Sequence, residues 1–84
     1  MHGKITSCNR TKGFYGVELE DNTYTVFELM KSDEIQIGAS VSGPLDQFGI
    51  ATLINEKTLE SYNTLILCKQ TSKNAVSKMF GLMS

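Results

Sequence analysis

The sequence predicts an all-β fold, a small barrel of five short strands, followed by a C-terminal extension. Runs rich in Val, Ile, Thr, Tyr and Phe recur between residues 3 and 55. Each run is bounded by Gly, Asn, Asp or Pro. No helical periodicity interrupts them, which excludes an alternating α/β arrangement. At 84 residues the chain suffices for one small domain.

The first strand is expected over residues 3–9 (GKITSCN), with Ile5 as its apolar member. Arg10 to Gly13 supplies a turn in which Gly13 can take a positive φ. Phe14 to Leu19 follows as the second strand, and Glu20-Asp21-Asn22 turns the chain again. Thr23 to Leu29 (TYTVFEL) carries the clearest strand pattern. Met30 to Gly38 reads as a polar connection. Ala39 to Pro44, built around Val41, is a short fourth strand, and Ile50 to Asn55 is the fifth. A five-stranded Greek-key barrel of the OB type is the economical way to close this set.

Residues 1–55 therefore form the predicted barrel, and residues 56–84 an extension packed on it or on a partner. Within the extension, Tyr62 to Cys68 reads as a further strand. Asn74 offers an N-cap for a short amphipathic helix. Ala75, Val76, Met79, Phe80 and Met83 fall on one face of that helix. Such a stripe buries itself on its own barrel or mediates self-association.

Composition narrows the function. The chain is 40% hydrophobic with a net charge of −1, which excludes both disorder and a strongly basic nucleic-acid binder. The charges are nonetheless partitioned. Residues 1–17 hold Lys4, Arg10 and Lys12 with no acid, and residues 61–84 hold Lys69, Lys73 and Lys78 with no acid. All nine acids lie in residues 18–60, with only Lys31 and Lys57 against them. A local basic patch made by the two ends is one expectation; ordinary surface charge is the other.

The longest apolar run, Leu65 to Cys68, is far below the ~20 residues that span a bilayer. Met-His-Gly-Lys at the start has no apolar segment behind it, so no signal peptide is expected and the protein is placed in the cytoplasm. Reduced thiols are then expected for Cys8 and Cys68, whose spacing fits no metal site. The single histidine, His2, is expected to sit at a frayed terminus. Glu18 and Glu20 share a strand face, which is ordinarily a solvated face. No catalytic constellation, cofactor fingerprint or metal pattern is present, so an enzyme is not predicted.

One motif does point to a function. Gly3-Lys4-Ile5, Asn9 and Lys12-Gly13-Phe14 are spaced as in G-K-[VI]-x-x-x-N-x-x-K-G-F, and Val26-Phe27 follows at the expected distance. Ile37-Gly38, Val41, Gly43-Pro44 and Ala51 continue the pattern. Over residues 3–55 the chain resembles the cold-shock domain family. The resemblance implies a five-stranded barrel that binds single-stranded RNA or DNA by stacking bases on surface aromatics. It would assign stacking to Phe14 and Phe27, with Tyr15 assisting, and phosphate contacts to Lys4, Arg10 and Lys12.

The departures fall on the stacking residues. Ser7-Cys8, Tyr15-Gly16 and Leu29-Met30 stand where the family has aromatics or histidine. Moving an aromatic by one position along a strand turns it to the opposite face. The alternative expectation is therefore a barrel that has lost nucleic-acid binding and serves as a protein-interaction or self-association module. Its partner would be a second copy or another protein, engaged through the C-terminal extension.

Overall fold

The computed structural model describes residues 1–30 and 34–83, with side chains through residue 81. Residues 31–33 of the expected polar connection, and the side chain of Met83, lie outside the described residues. Among the described residues there are six strands and one helix: β1 (His2–Asn9), β2 (Phe14–Leu19), β3 (Tyr24–Leu29), β4 (Ser40–Ser42), β5 (Gly49–Asn55), β6 (Ser61–Gln70) and α1 (Lys73–Met83). The strands close into a barrel in the order β1-β2-β3-β6-β5-β4, and every neighbouring pair is antiparallel.

The ring thus has six strands rather than the expected five. β6 stands between β3 and β5, so the boundary expected at residue 55 divides a hairpin. Of the described elements after that boundary, only α1 lies outside the ring. Closure is a long-range event: β4, three residues long, pairs back onto the start of β1.

Local chemistry sets the turns. Gly13 adopts φ 75° between β1 and β2, and its carbonyl accepts the Leu29 amide at 2.8 Å. Between β2 and β3, Asn22 takes φ 66° while the Asp21 carboxylate accepts both the Thr23 amide (3.1 Å) and the Thr23 hydroxyl (2.6 Å). These hydrogen bonds, the hydroxyl's first, hold the Asp21 carboxyl below its ordinary pKa. After β5, Asn55 Oδ1 accepts the amides of Lys57 and Thr58 at 2.9 and 3.1 Å.

Alternation places Ile5, Tyr15, Val17, Leu19, Phe27, Leu29, Val41, Ala51, Leu53, Tyr62 and Ile66 inside the barrel, where they form the main core with Ile35 and Leu45. Two polar core residues are satisfied. The Thr25 hydroxyl donates to the Leu45 carbonyl and the Thr64 hydroxyl to the Ala51 carbonyl, each at 2.8 Å.

Helix α1 lies on the outside, over β3 and β6. Its cap is Ser72 rather than the expected Asn74: Ser72 Oγ accepts the Ala75 amide at 3.1 Å. Val76 and Phe80 bury themselves against Val26, with Phe14, Tyr24, Leu67, Cys68 and Met79 packed around them. Of the apolar stripe, Val76, Met79 and Phe80 are therefore packed on their own barrel.

Candidate interaction surfaces

Two outer faces of the barrel bear on function, and register decides what each displays. Phe14 pairs with Glu28, Tyr15 with Phe27, and Gly16 with Val26. Partners across a strand pair point to the same side, so Tyr15 and Phe27 both turn inward. Their rings stack with centroids 5.5 Å apart at an interplanar angle of 16°. Tyr15 is 1% exposed and Phe27 0%. The Tyr15 hydroxyl accepts the Ile35 amide at 3.3 Å, which fixes the ring further. The expectation has Phe27 stacking on bases with Tyr15 assisting; the structure places both rings in the core.

Phe14 does point outward, but it is half-buried in the cluster beneath α1. That helix seats because β2 offers Gly16 at the point of closest approach. A Cβ there would lie 2.9 Å from Val76 Cγ1 and 2.8 Å from Ser7 Oγ. The bulge in β1 between Ile5 and Ser7 sits beside this notch. The Thr6 and Ser7 hydroxyls there are buried, with no hydrogen-bond partner among the described residues.

Lys4 and Lys69 stand apart from Arg10 and Lys12. Arg10 and Lys12 are exposed in the β1–β2 turn. Lys4 lies six residues earlier on β1, roughly 20 Å away at the usual strand rise. Its surroundings are acidic: it is paired with Glu18 and shares a shallow groove with Glu20 and Glu56. Lys69 pairs with Thr25 toward the β2–β3 turn, where its charge adds to the lowering of the Asp21 pKa.

In that groove His2 departs from its expectation. It is the first residue of β1, and its ring lies between two carboxylates, Glu20 at 2.9 Å and Glu56 at 3.2 Å. Nearby, the Tyr24 hydroxyl donates to Glu18 at 3.0 Å, which raises the Tyr24 pKa together with partial desolvation. Cys8 and Cys68 are free and half-buried. Among the described residues no group of three His, Cys, Asp or Glu side chains could hold a metal ion. No helix there is long and apolar enough to cross a membrane.

The second face belongs to β5 and β6. Ala51, Leu53 and Asn55 point inward on β5, so Ile50, Thr52 and Ile54 point outward. Ile50 is 78% exposed, Ile54 41%, and Phe48 just before the strand 69%. Leu59, at the β5–β6 turn, is 75% exposed and holds φ 65°, a conformation that leucine rarely takes. On the adjoining β6, Tyr62, Thr64 and Ile66 are buried, leaving Ser61, Asn63 and Leu65 on the outside. None of these outward strand positions carries a charge.

Sequence reading missed this face. The signal was available in β5, where apolar residues occupy both parities of the alternation, so one of the two sets had to be exposed or separately covered.

Comparison of the chain with protein-family models, with curated proteins and with solved structures finds no match.

Proposed function

We propose that this domain is a protein-interaction module that presents the outer face of the β5–β6 hairpin. The observation that carries the reading is the exposure of Phe48, Ile50, Ile54 and Leu59 on and beside one hairpin, four of the seven large apolar side chains exposed among the described residues. Scattered exposed apolar residues are ordinary on soluble proteins, but contiguous ones mark contact sites. The chemistry offered is dispersion and desolvation from branched aliphatic side chains and one phenyl ring, with no charge for a polyanion. On this reading the cold-shock resemblance reflects an OB-type barrel enlarged by β6, with its base-stacking side given over to internal packing.

A photoreactive benzoylphenylalanine at position 50, with a control at the exposed position 78 on α1, tests the reading in producing cells. A discrete protein adduct at position 50 and none at 78 is expected. Equal labelling at both positions would remove the assignment.

Single-stranded RNA or DNA remains the second reading, favoured by one arrangement: Phe14 opens β2 directly after the turn that carries Arg10 and Lys12. Fluorescence anisotropy with short oligo-dT and oligo-U, at low and physiological salt, separates the two. Saturable binding that weakens with salt and is lost in the Arg10→Ala/Lys12→Ala double variant would carry the nucleic-acid reading.

A further inference from the structure

We propose that the partner of the β5–β6 face is the same face of a second copy of this chain. The inference rests on the interaction-module reading above and specifies its occupant.

The ring closes through short ladders, β4 pairing with β1 at His2–Lys4 and with β5 at Ile54 and Asn55. A second copy would meet the outer face of β5 and β6 through side chains. Two outer sheet faces pack well when both are flat, branched and uncharged. The outward positions of β5 and β6 meet that description: Ile50, Thr52 and Ile54 beside Ser61, Asn63 and Leu65.

The pattern is also complementary to itself. Along β5 the outward residues run Ile50, Thr52, Ile54, with the exposed Phe48 just before the strand. A two-fold axis at Thr52, with strands antiparallel across the interface, sets Ile50 of each copy against Ile54 of the other. Phe48 of each copy then reaches toward the β5–β6 turn of the other, where Leu59 is exposed. A two-fold contact requires this reciprocity, in which residue i meets j and j meets i. A polyanion, a basic peptide or a lipid headgroup would find no counter-charge on these positions.

Area sets the strength. Phe48, Ile50, Ile54 and Leu59 together expose roughly 500 Å² per copy, given that a large side chain offers about 150–250 Å². Doubled, this is about 1,000 Å², the lower limit for a specific interface. An area at this limit belongs with weak, reversible association.

Sedimentation equilibrium of the full chain, from about 5 to about 500 μM, is the test. The weight-average mass is expected to rise from that of the 9.3 kDa chain toward twice that value. Ile50→Glu should weaken association at least about tenfold, since it buries unpaired charges against the partner. Its circular dichroism and melting should be unchanged, because the native side chain is 78% exposed. Lys78→Glu on α1 should leave association intact. A wild-type chain that stays monomeric throughout overturns the second copy as occupant, while a protein adduct at position 50 would still uphold the interaction module. A dimer unaffected by Ile50→Glu overturns the placement of the contact.

Discussion

β3 and β5 meet solvent differently, and their burial patterns record it. Along β3 three consecutive residues, Thr25, Val26 and Phe27, are buried, and β2 repeats this at Tyr15, Gly16 and Val17. β5 instead alternates strictly from Ile50 to Asn55. The cause is α1. Over β2 and β3 the inner face is sealed by the core and the outer face by Val76 and Phe80. Over β5 the outer face is bare. One side of the barrel has satisfied its apolar surface within the chain, and the other has left it available.

Breaking the core beneath both faces should have the largest effect. Phe27→Ala removes a fully buried ring from the stack with Tyr15 and should cost about 4 kcal/mol. The counterpart on the bare face, Phe48→Ser, should stay within about 0.5 kcal/mol. Urea denaturation of the two variants measures the contrast. If Phe27 were a surface stacking residue, the two substitutions would behave alike.

The covered face can be reopened selectively. Gly16→Val places a side chain where Val76 and Ser7 already converge, and should lift α1 at a cost of about 2 kcal/mol. Loss of the helical circular-dichroism signal, with the cooperative barrel transition retained, is the expected outcome. Ser72→Ala acts on the same helix more gently. It removes the acceptor for the Ala75 amide and should weaken α1 by about 1 kcal/mol, read as faster amide exchange at Ala75.

The smallest effect is expected at the Asp21 turn. Hydrogen bonds from Thr23 stabilise the charged carboxylate in the folded state, so its folded pKa lies below the unfolded one. That contribution is fully present above the ordinary carboxylate pKa and is lost as pH falls through the depressed folded value. Asp21→Asn should flatten this acid-side dependence slightly. The side-chain shift of Asp21 in an NMR titration reports it directly.

Strand positions were legible because turn chemistry and β-propensity are local. Gly13, the Glu20–Asn22 segment and the Pro44–Gly49 segment punctuate the chain where it turns. The ring was less legible. Whether β6 pairs with β3 depends on contacts some 40 residues apart, which no local pattern encodes. Facing failed on β3 for the reason drawn above. When both sides of a strand are covered, alternation carries no information, and Phe27 could be placed on the same face as Phe14. Register settles it, because Phe14 is opposite Glu28 and not Phe27. The exposed face was illegible for the opposite reason: Ile50 and Ile54 look like core residues until Ala51, Leu53 and Asn55 are seen to fill the interior.

The attachment of α1 has a kinetic consequence. No strand can leave the ring without breaking two backbone ladders, whereas α1 leaves by giving up side-chain packing and the backbone bonds of its own first turn. The molecule should therefore open in two tiers. Amides of α1 would exchange through frequent, shallow openings, and those of the barrel only through rare global ones. A protease would meet the chain first between Gln70 and Lys73, leaving a ring still closed behind the cut.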